Sequence, residues 1–349
     1  MEIENNTSFP EALMLGNGPD GFSTLTVIIK ATFQFPQDSS KNATIASDQL
    51  PIAATDEFYD DDMQRGVRIE GDMVLFKSKA DIVLVGTAYA PKEQAVSYCD
   101  TGLRVGKRVK KVRVYGERDW HYGSKVALTP SITRPQFFVT MELTYERAFG
   151  GIDESQGMLC KYNLLGKGYA GKKKTKSLHH KPLPNLEDPN NLIKSWDTHP
   201  MPAGYGFWPK GCLPRSKYAG TFDEKWKEER ASEMPQDFSF NFFNAAHPDL
   251  QVEGYLQGDE EVEMLNLTPQ GHIKFQLSGL YPKITIIKNA DNSNGNSSVS
   301  GKKEEGIKPN LDTICFLPDE GIFYQVWRGL CQVKSLACEE IKEIIISKN

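Results

Sequence analysis

The sequence predicts a mainly β protein: an antiparallel, sandwich-like core, a large irregular Pro/Gly-rich middle segment and one or two short helices. Three observations carry this reading. The dominant hydrophobic period is two, helix signals are confined to a short stretch, and turn chemistry separates the strand-like runs. With 349 residues, of which 39% are hydrophobic, the chain is long enough to bury a sizeable core.

From the N-terminus, Leu25, Val27, Ile29, Ala31, Phe33 and Phe35 alternate with Thr24, Thr26, Ile28, Lys30, Thr32 and Gln34, the pattern of a half-buried strand. Asp81 to Tyr89 is apolar on both faces, as a central strand is, and Pro91 ends it. Val105 to Tyr115 reads as a basic strand or hairpin arm, with a bulge where Lys110 and Lys111 interrupt the alternation. Phe137, Val139, Met141, Leu143 and Tyr145 mark another alternating strand.

Gly150 to Asp249 is rich in Pro and Gly and poor in periodic strands, so it is expected to form a loop layer against the β core. Its clearest helix runs from Thr221 to about Ser232, with Thr221 and Glu224 as a capping box. Pro189 to Trp196 suggests a short helical turn. Ile273 to Leu277 and Ile284 to Ile287 follow as short strands. Thr313–Leu317 and Ile322–Arg328 flank Pro-Asp-Glu-Gly and read as a hairpin. Ile341 to Ile346 is a final strand, or part of an amphipathic helix starting near Ser335. The pattern gives an N-terminal β-rich region (1–155), an irregular layer (156–250) and a C-terminal β-rich region (251–349), which together fit one compact domain as well.

Two segments are expected to be poorly packed. Gly166 to Lys181 is strongly basic without an acid, and Asn289 to Asn310 is low-complexity and reads as a mobile loop.

The formal charge of -5, from 41 basic and 46 acidic residues, argues against a general nucleic-acid binder. The start, MEIENNTSFPEALM, has no basic region followed by an apolar run, and no segment approaches the ~20 apolar residues of a membrane span. A cytoplasmic location without membrane insertion is therefore expected. Six scattered cysteines without a CxxC pair are expected to be reduced thiols.

Gly166, Gly171 and Lys172 imitate a phosphate loop, but Lys173 replaces its Ser/Thr, and Pro182 and Pro184 spoil the following helix. His179 and His180 are adjacent, do not share a face, and have no third ligand at metal spacing. Asp60, Asp61 and Asp62 lack the alternating oxygens of a calcium loop and suggest a solvated acidic loop or a patch for a basic partner. Arg104, Lys107, Arg108, Lys110, Lys111 and Arg113 suggest a charged edge strand or a partner-docking hairpin; nucleic acid fits poorly without interleaved aromatics. Phe238, Phe240, Phe242 and Phe243 suggest a buried strand or an extended anchor, and Asn244 and Asp249 turn residues. An Asn244/His247/Asp249 active site would need a paired nucleophile and base. No catalytic residue, metal or cofactor is therefore assigned.

A resemblance adds to this. Three segments carry it: Lys79, Ala80, Asp81, Gly86, Ala88, Ala90 and Pro91; Pro214, Arg215, Tyr218 to Thr221, Asp223, Trp226, Pro235, Asp237, Phe238, Phe243 to Ala246, Pro248, Asp249 and Gln251; and Asp312, Thr313, Trp327 and Arg328. Gly258, Glu260, Asn266, Leu267, Pro269 and Gly271 lie between the last two. In this order and spacing they resemble, over nearly the whole chain, a bacterial family long filed as a domain of unknown function. Its members are typically encoded beside type VI secretion spike, PAAR and toxin genes. The resemblance implies a non-enzymatic adaptor-chaperone that binds a toxin effector and helps load it onto the spike-tip (VgrG/PAAR) complex. Such a protein needs a few aromatic anchors with a polar rim. The candidates are Trp208, Tyr218, Phe222, Trp226, Phe242 and Phe243, each also suited to plain core packing. A β-rich hydrolase and a structural or carbohydrate-binding β-domain are the alternatives. Neither the cargo nor the oligomeric state can be read from the sequence.

Overall fold

The computed structural model describes all residues except 37–41, 61–64, 124–128, 173–177, 232, 290–301 and 349. The fold is mainly β, and a single α-helix, Glu224–Arg230, lies among the described residues.

The centre is a seven-stranded sheet in the order Gln251–Val252, Ala80–Leu84, Asn310–Leu317, Ile322–Gln332, Ser23–Gln34 and Glu11–Asn17, with Thr44–Ile45 also on Ser23–Gln34. All pairs are antiparallel except Ala80–Leu84 with Asn310–Leu317, so the sheet is mixed rather than purely antiparallel. Strands from both ends of the chain meet in it. The predicted Pro-Asp-Glu-Gly hairpin is present, closed by Gly321 at φ 72, in the left-handed region.

A five-stranded antiparallel sheet faces it: Leu186–Glu187, Arg108–Tyr115, Tyr98–Val105, Glu261–Leu265 and His272–Gln276. Phe275 of this sheet packs on Phe35 and Phe323, with ring centroids 5.5 and 5.9 Å apart, and Phe323 stacks on Phe33 at 5.1 Å. A third sheet joins Glu2–Asn5, Ile341–Lys348, Pro282–Asn289 and Lys302–Ile307. The C-terminal segment is thus a strand, not a helix.

Several expectations change. Ser23–Gln34 is buried on both faces, not half-buried. Its polar residues are held by partners: the Thr26 hydroxyl donates to the Leu75 carbonyl (2.8 Å) and Lys30 pairs with Asp72 (2.8 Å). The run 81–89 is two strands, Ala80–Leu84 and Thr87–Tyr89, in different sheets. The hairpin Tyr98–Val105/Arg108–Tyr115 is in continuous register, with no bulge at Lys110. Lys110 points inward beside Val112 and Val114, so the alternation was never interrupted. Around Phe137 the strand shrinks to Thr140–Glu142 with a separate bridge between Phe138 and Val96, and Phe137 and Val139 are exposed while Phe138 is buried. Pro189 to Trp196 forms turns only.

The middle layer is irregular, as expected, but has its own small core of Trp120, Phe149, Leu178, Leu183 and Ile193. The basic segment contributes Ala170 and Leu178 to it; residues 173–177 lie outside the described residues. The Asn/Ser-rich segment is likewise packed at its ends, since Lys302–Ile307 pairs with Pro282–Asn289, while 290–301 lie outside the described residues. All six cysteines are free and buried.

One core position is out of character. Gln325 is fully buried opposite Ala31 and Ile314, and neither side-chain polar atom has a hydrogen-bond partner among the described residues. An unmet buried amide costs about 1–3 kcal/mol. Gln325→Leu is therefore expected to raise the urea midpoint; a lowered midpoint would overturn this.

Candidate partner-docking surface

The three sequence segments of the resemblance converge on one buried polar node. Asp81, fully buried, accepts from the backbone N–H groups of Ala245 (2.9 Å) and Ala246 (3.2 Å) and from Lys77 Nζ (2.8 Å). Lys77 Nζ also donates to Thr313 Oγ1 (3.0 Å), and Asn244 Nδ2 donates to the Lys79 carbonyl (2.8 Å). One strand onward, Arg328 pairs with Asp312 and donates to the carbonyls of Val74 and Asp72. Buried charge of this kind is held only when each ion is paired and hydrogen-bonded.

Arg215 repeats the design nearer the surface. Only 2% exposed, it makes a two-pronged pair with Glu70 (2.9 and 2.6 Å). It also donates to the carbonyls of Trp208 (2.7 Å) and Phe242 (2.9 Å), with the Phe242 ring 5.4 Å from the guanidinium. Asp81, through Asn244 to Ala246, and Arg215, through the Phe242 carbonyl, both hold the C-terminal side of the turn Phe240–Phe243, a 3-10 helix capped at its start by Ser239. This corrects the reading of 238–243 as a buried strand. Phe238, Phe240, Phe242 and Phe243 are all half-buried and form one cluster with centroids 5.4 to 6.1 Å apart, joined by Phe76 at 5.6 Å from Phe240.

Next to this cluster an arm leaves the frame. Gly220, at φ 79, turns the chain outward where a Cβ would sit 2.8 Å from Pro235. Thr221 is then tied to Asp237 through its N–H (2.9 Å) and hydroxyl (2.8 Å), which closes the arm at its base. That bond takes Thr221 out of the predicted capping box. The helix is capped instead by Asp223, which accepts from the Trp226 N–H (2.8 Å). Along Glu224–Glu229 every residue is exposed except Trp226, which is half-buried. Trp226 meets Phe222 edge-to-face at 4.8 Å and donates to the Glu233 carbonyl (2.9 Å). Phe222 and Met234 remain 57% and 52% exposed.

Five of the six candidate anchors thus fall in two groups on either side of the arm's base: Phe222 and Trp226 on the arm, and Phe242 and Phe243 in the cluster at its foot, to which the Tyr218 carbonyl is linked by the Ser239 N–H (3.0 Å). Trp208 is not with them. It is 1% exposed, donates to the Leu213 carbonyl (2.8 Å), and packs against Tyr145 and His247, both at 5.3 Å, so it is a core residue. Sequence reasoning left out Met234 and Phe76, and read Phe238 and Phe240 as part of a buried strand or an extended anchor without placing them among the six candidates. The Gly220 and Pro235 pair bracketing a helix was the available signal for a closed, projecting arm.

The other candidate constellations dissolve. The Gly171 N–H is already taken by the Asp153 carboxylate (2.7 Å), which occupies the donor a phosphate would need. His180, at φ 63, does bring its ring to 4.0 Å from His179, and His121 lies 5.1 Å from His179, contrary to the expectation that the adjacent pair diverges. No group of three or more His, Cys, Asp or Glu suited to a metal occurs among the described residues. Asp60 accepts from the Arg65 N–H, while Asp61 and Asp62 lie outside the described residues. Of the basic hairpin, Arg104 is paired with Glu261 and Glu263, and Arg113 with Asp100.

Lys110 and His247 lie beneath the surface, with Asp249 half in solvent. Lys110 Nζ is 3.0 Å from Asp249 Oδ2 and 3.2 Å from His247 Nε2, and the Asp249 N–H donates to His247 Nδ1 (3.1 Å). Burial first, then the Lys110 charge, push the His247 imidazole from 6.5 down to about 3. Against its own partial burial, Lys110 holds the Asp249 carboxyl below its ordinary value. Both shifts have the same sign for stability. The unfolded chain protonates His247 as pH falls through 6.5 while the folded protein does not, so stability is lost between pH 6.5 and about 3. His247→Gln is expected to flatten this slope, by up to about 1.4 kcal/mol per pH unit. Urea midpoints at pH 7 and pH 5 check it.

The fold and this surface define a mainly β protein with a partly exposed aromatic arm. A family model matches residues 20–328, and the chain belongs to that family, DUF2169, described as an uncharacterized protein conserved in bacteria. No curated protein and no solved structure matches the chain. No helix among the described residues is long and apolar enough to cross a membrane.

Proposed function

We propose that this protein is a cytoplasmic adaptor-chaperone that binds a type VI secretion toxin effector and helps load it onto the spike. Its contact surface is the arm and aromatic foot formed by Tyr218, Phe222, Trp226, Phe242 and Phe243. The observation that carries the reading is the exposure of this aromatic arm on a frame held by buried ion pairs. Aromatic side chains anchored on rigid structure are what protein interfaces use as energetic centres. The partner class comes from the family resemblance. Catalysis and cofactors have no part in this role.

The test is affinity capture of the tagged chain from its native host, with bound proteins identified by mass spectrometry. Recovery of one toxin or spike-tip protein in near-equal amount is the expected result. Recovery of the chain alone, with turnover in a broad hydrolase screen, would overturn the reading in favour of an enzyme.

A further inference from the structure

The third sheet carries an open gap whose cause lies in its register. Pro282–Asn289 and Lys302–Ile307 run antiparallel, and their pairing stops at Ile284 with Ile307. One step beyond, the same register sets Lys283 opposite Lys308, and two steps beyond, Pro282 opposite Pro309. The Ile346 carbonyl accepts from the Asn6 N–H, on the side of Glu2–Asn5. Ile284, beside Ile346 on the other side, therefore presents its own main-chain groups to Ile307. Residues two apart face the same way, so the next pair due to exchange hydrogen bonds is Pro282 with Pro309. Neither has an N–H, and the strands part there. The Pro309 carbonyl is taken by the Tyr281 hydroxyl, whereas the Pro282 carbonyl faces the gap without the N–H it would have met.

The gap has a volume of about 500 Å³ and an apolar floor of Tyr281, Pro282, Ile284, Ile307 and Pro309. The floor rests on the central sheet. At Gly329, Ile284 comes so close that a Cβ would lie 2.5 Å from it, and Tyr281 meets Trp327 edge-to-face at 6.4 Å. The rim is cationic. Lys283 and Lys308 are both exposed, Lys308 Nζ stands 5.5 Å from the Tyr281 ring centre, and no carboxylate lines the gap. Neither lysine has an acidic partner among the described residues. Glu260, close enough to act on Tyr281, is engaged by the N–H groups of Gln257 (2.6 Å) and Gly258 (2.9 Å). Further along the strand Lys303 and Glu304 are both exposed and balance each other. Like charges facing each other across a strand pair oppose folding unless a counter-charge answers them.

We propose that this gap binds an acidic peptide segment. An apolar side chain of the segment lies on the floor, carboxylates of its neighbours meet Lys283 and Lys308, and a main-chain N–H meets the Pro282 carbonyl. The volume suits one large side chain with its flanks, and the unanswered lysines set the sign of the charge. The bare carbonyl selects a peptide over a free fatty or aromatic acid, which offers a carboxylate and an apolar body but no such donor. This site goes beyond the adaptor reading: it lies on other elements than the aromatic arm, and its test needs no toxin.

The probes are short labelled peptides of equal length, built on serine, with Glu-Leu-Glu or Lys-Leu-Lys at the centre. Binding to the full chain is read by fluorescence anisotropy. The Glu peptide is expected to bind at least about tenfold more tightly, with the preference shrinking as salt rises. Lys283→Glu with Lys308→Glu is expected to reverse the preference. Gly306→Leu obstructs the gap without touching its charge. Gly306 lines the gap, its φ lies outside the left-handed region, and a Cβ there meets no atom within 4 Å, so the fold tolerates the change. It is expected to weaken the Glu peptide by about tenfold. Methylating the leucine nitrogen of that peptide is expected to weaken it about fivefold, through loss of the bond to Pro282. Circular dichroism checks that each variant keeps the β frame. Equal binding of both peptides, or of neither, would overturn the proposal, as would full affinity in Gly306→Leu. Displacement of the Glu peptide by an equal concentration of decanoate would also overturn it and assign the gap to free acids. A dimer seen by light scattering and dispersed by the double lysine variant would overturn it in favour of a second copy.

Discussion

Asp81→Ala is expected to destabilise the fold by on the order of 3–5 kcal/mol, the range for removing one partner of a buried ion pair. The carboxylate is fully buried and serves four donors: Lys77, the side chain of Asn244, and the N–H groups of Ala245 and Ala246. Alanine leaves the Lys77 ammonium, itself 7% exposed, with Thr313 Oγ1 as its remaining bonded partner, and unpairs two buried backbone donors. Since a domain's net stability is about 5–15 kcal/mol, this single change consumes much of it. Urea unfolding followed by tryptophan fluorescence measures the effect. A cost below about 1 kcal/mol would show that the node does not hold the three segments together.

Arg215→Met is expected to cost about 3 kcal/mol and to loosen the aromatic foot. The change strands Glu70, 8% exposed at its side chain, with Lys210 at 3.6 Å as its nearest cation. It also frees the carbonyls of Trp208 and Phe242, the latter in the turn that presents the aromatic cluster. Adding Glu70→Leu is expected to recover most of the loss, because replacing a whole buried pair by apolar groups is often neutral or better. Binding of the captured partner is expected to stay impaired in the double variant, because the Phe242 carbonyl is still unheld. If the two costs simply add, the pair is not the unit that fixes this turn.

The strands were legible where one physical signal dominated. Alternation located Ser23–Gln34, and the turn chemistry of Pro-Asp-Glu-Gly located the two arms of its hairpin. Burial was less legible. Lys30 and Lys110 looked like markers of a solvent face, yet each lies in the interior because Asp72 in one case, and Asp249 with His247 in the other, meets it there. Those partners are 42 and 139 residues away in sequence, and no local pattern announces them. The same reason explains Trp208. Its aromatic neighbours make it resemble an anchor, but its backbone N–H donates to the Ala245 carbonyl and its indole to the Leu213 carbonyl, which holds it in the interior. The aromatic run 238–243 was misread for the opposite cause: period two fits a strand, whereas Ser239 and Asn241 bond locally and curl the chain. The arm's aromatics were found by composition, but its closure needed Thr221 and Asp237 to be seen together.

That closure gives the arm a separate fate from the frame. The chain leaves and returns at one point, where a side chain and an N–H of Thr221 meet Asp237. What lies beyond is an insert, and lengthening an insert costs only about 0.6 kcal/mol per doubling. Substitutions at the tip, including Phe222, Lys225 or Glu229, touch neither buried node. The tip can therefore drift in sequence, length and charge while the ion-paired interior stays under the constraint of folding. On the adaptor proposal, changing a few solvent-facing residues of the arm is how such a molecule takes a new partner with its stability left as it was.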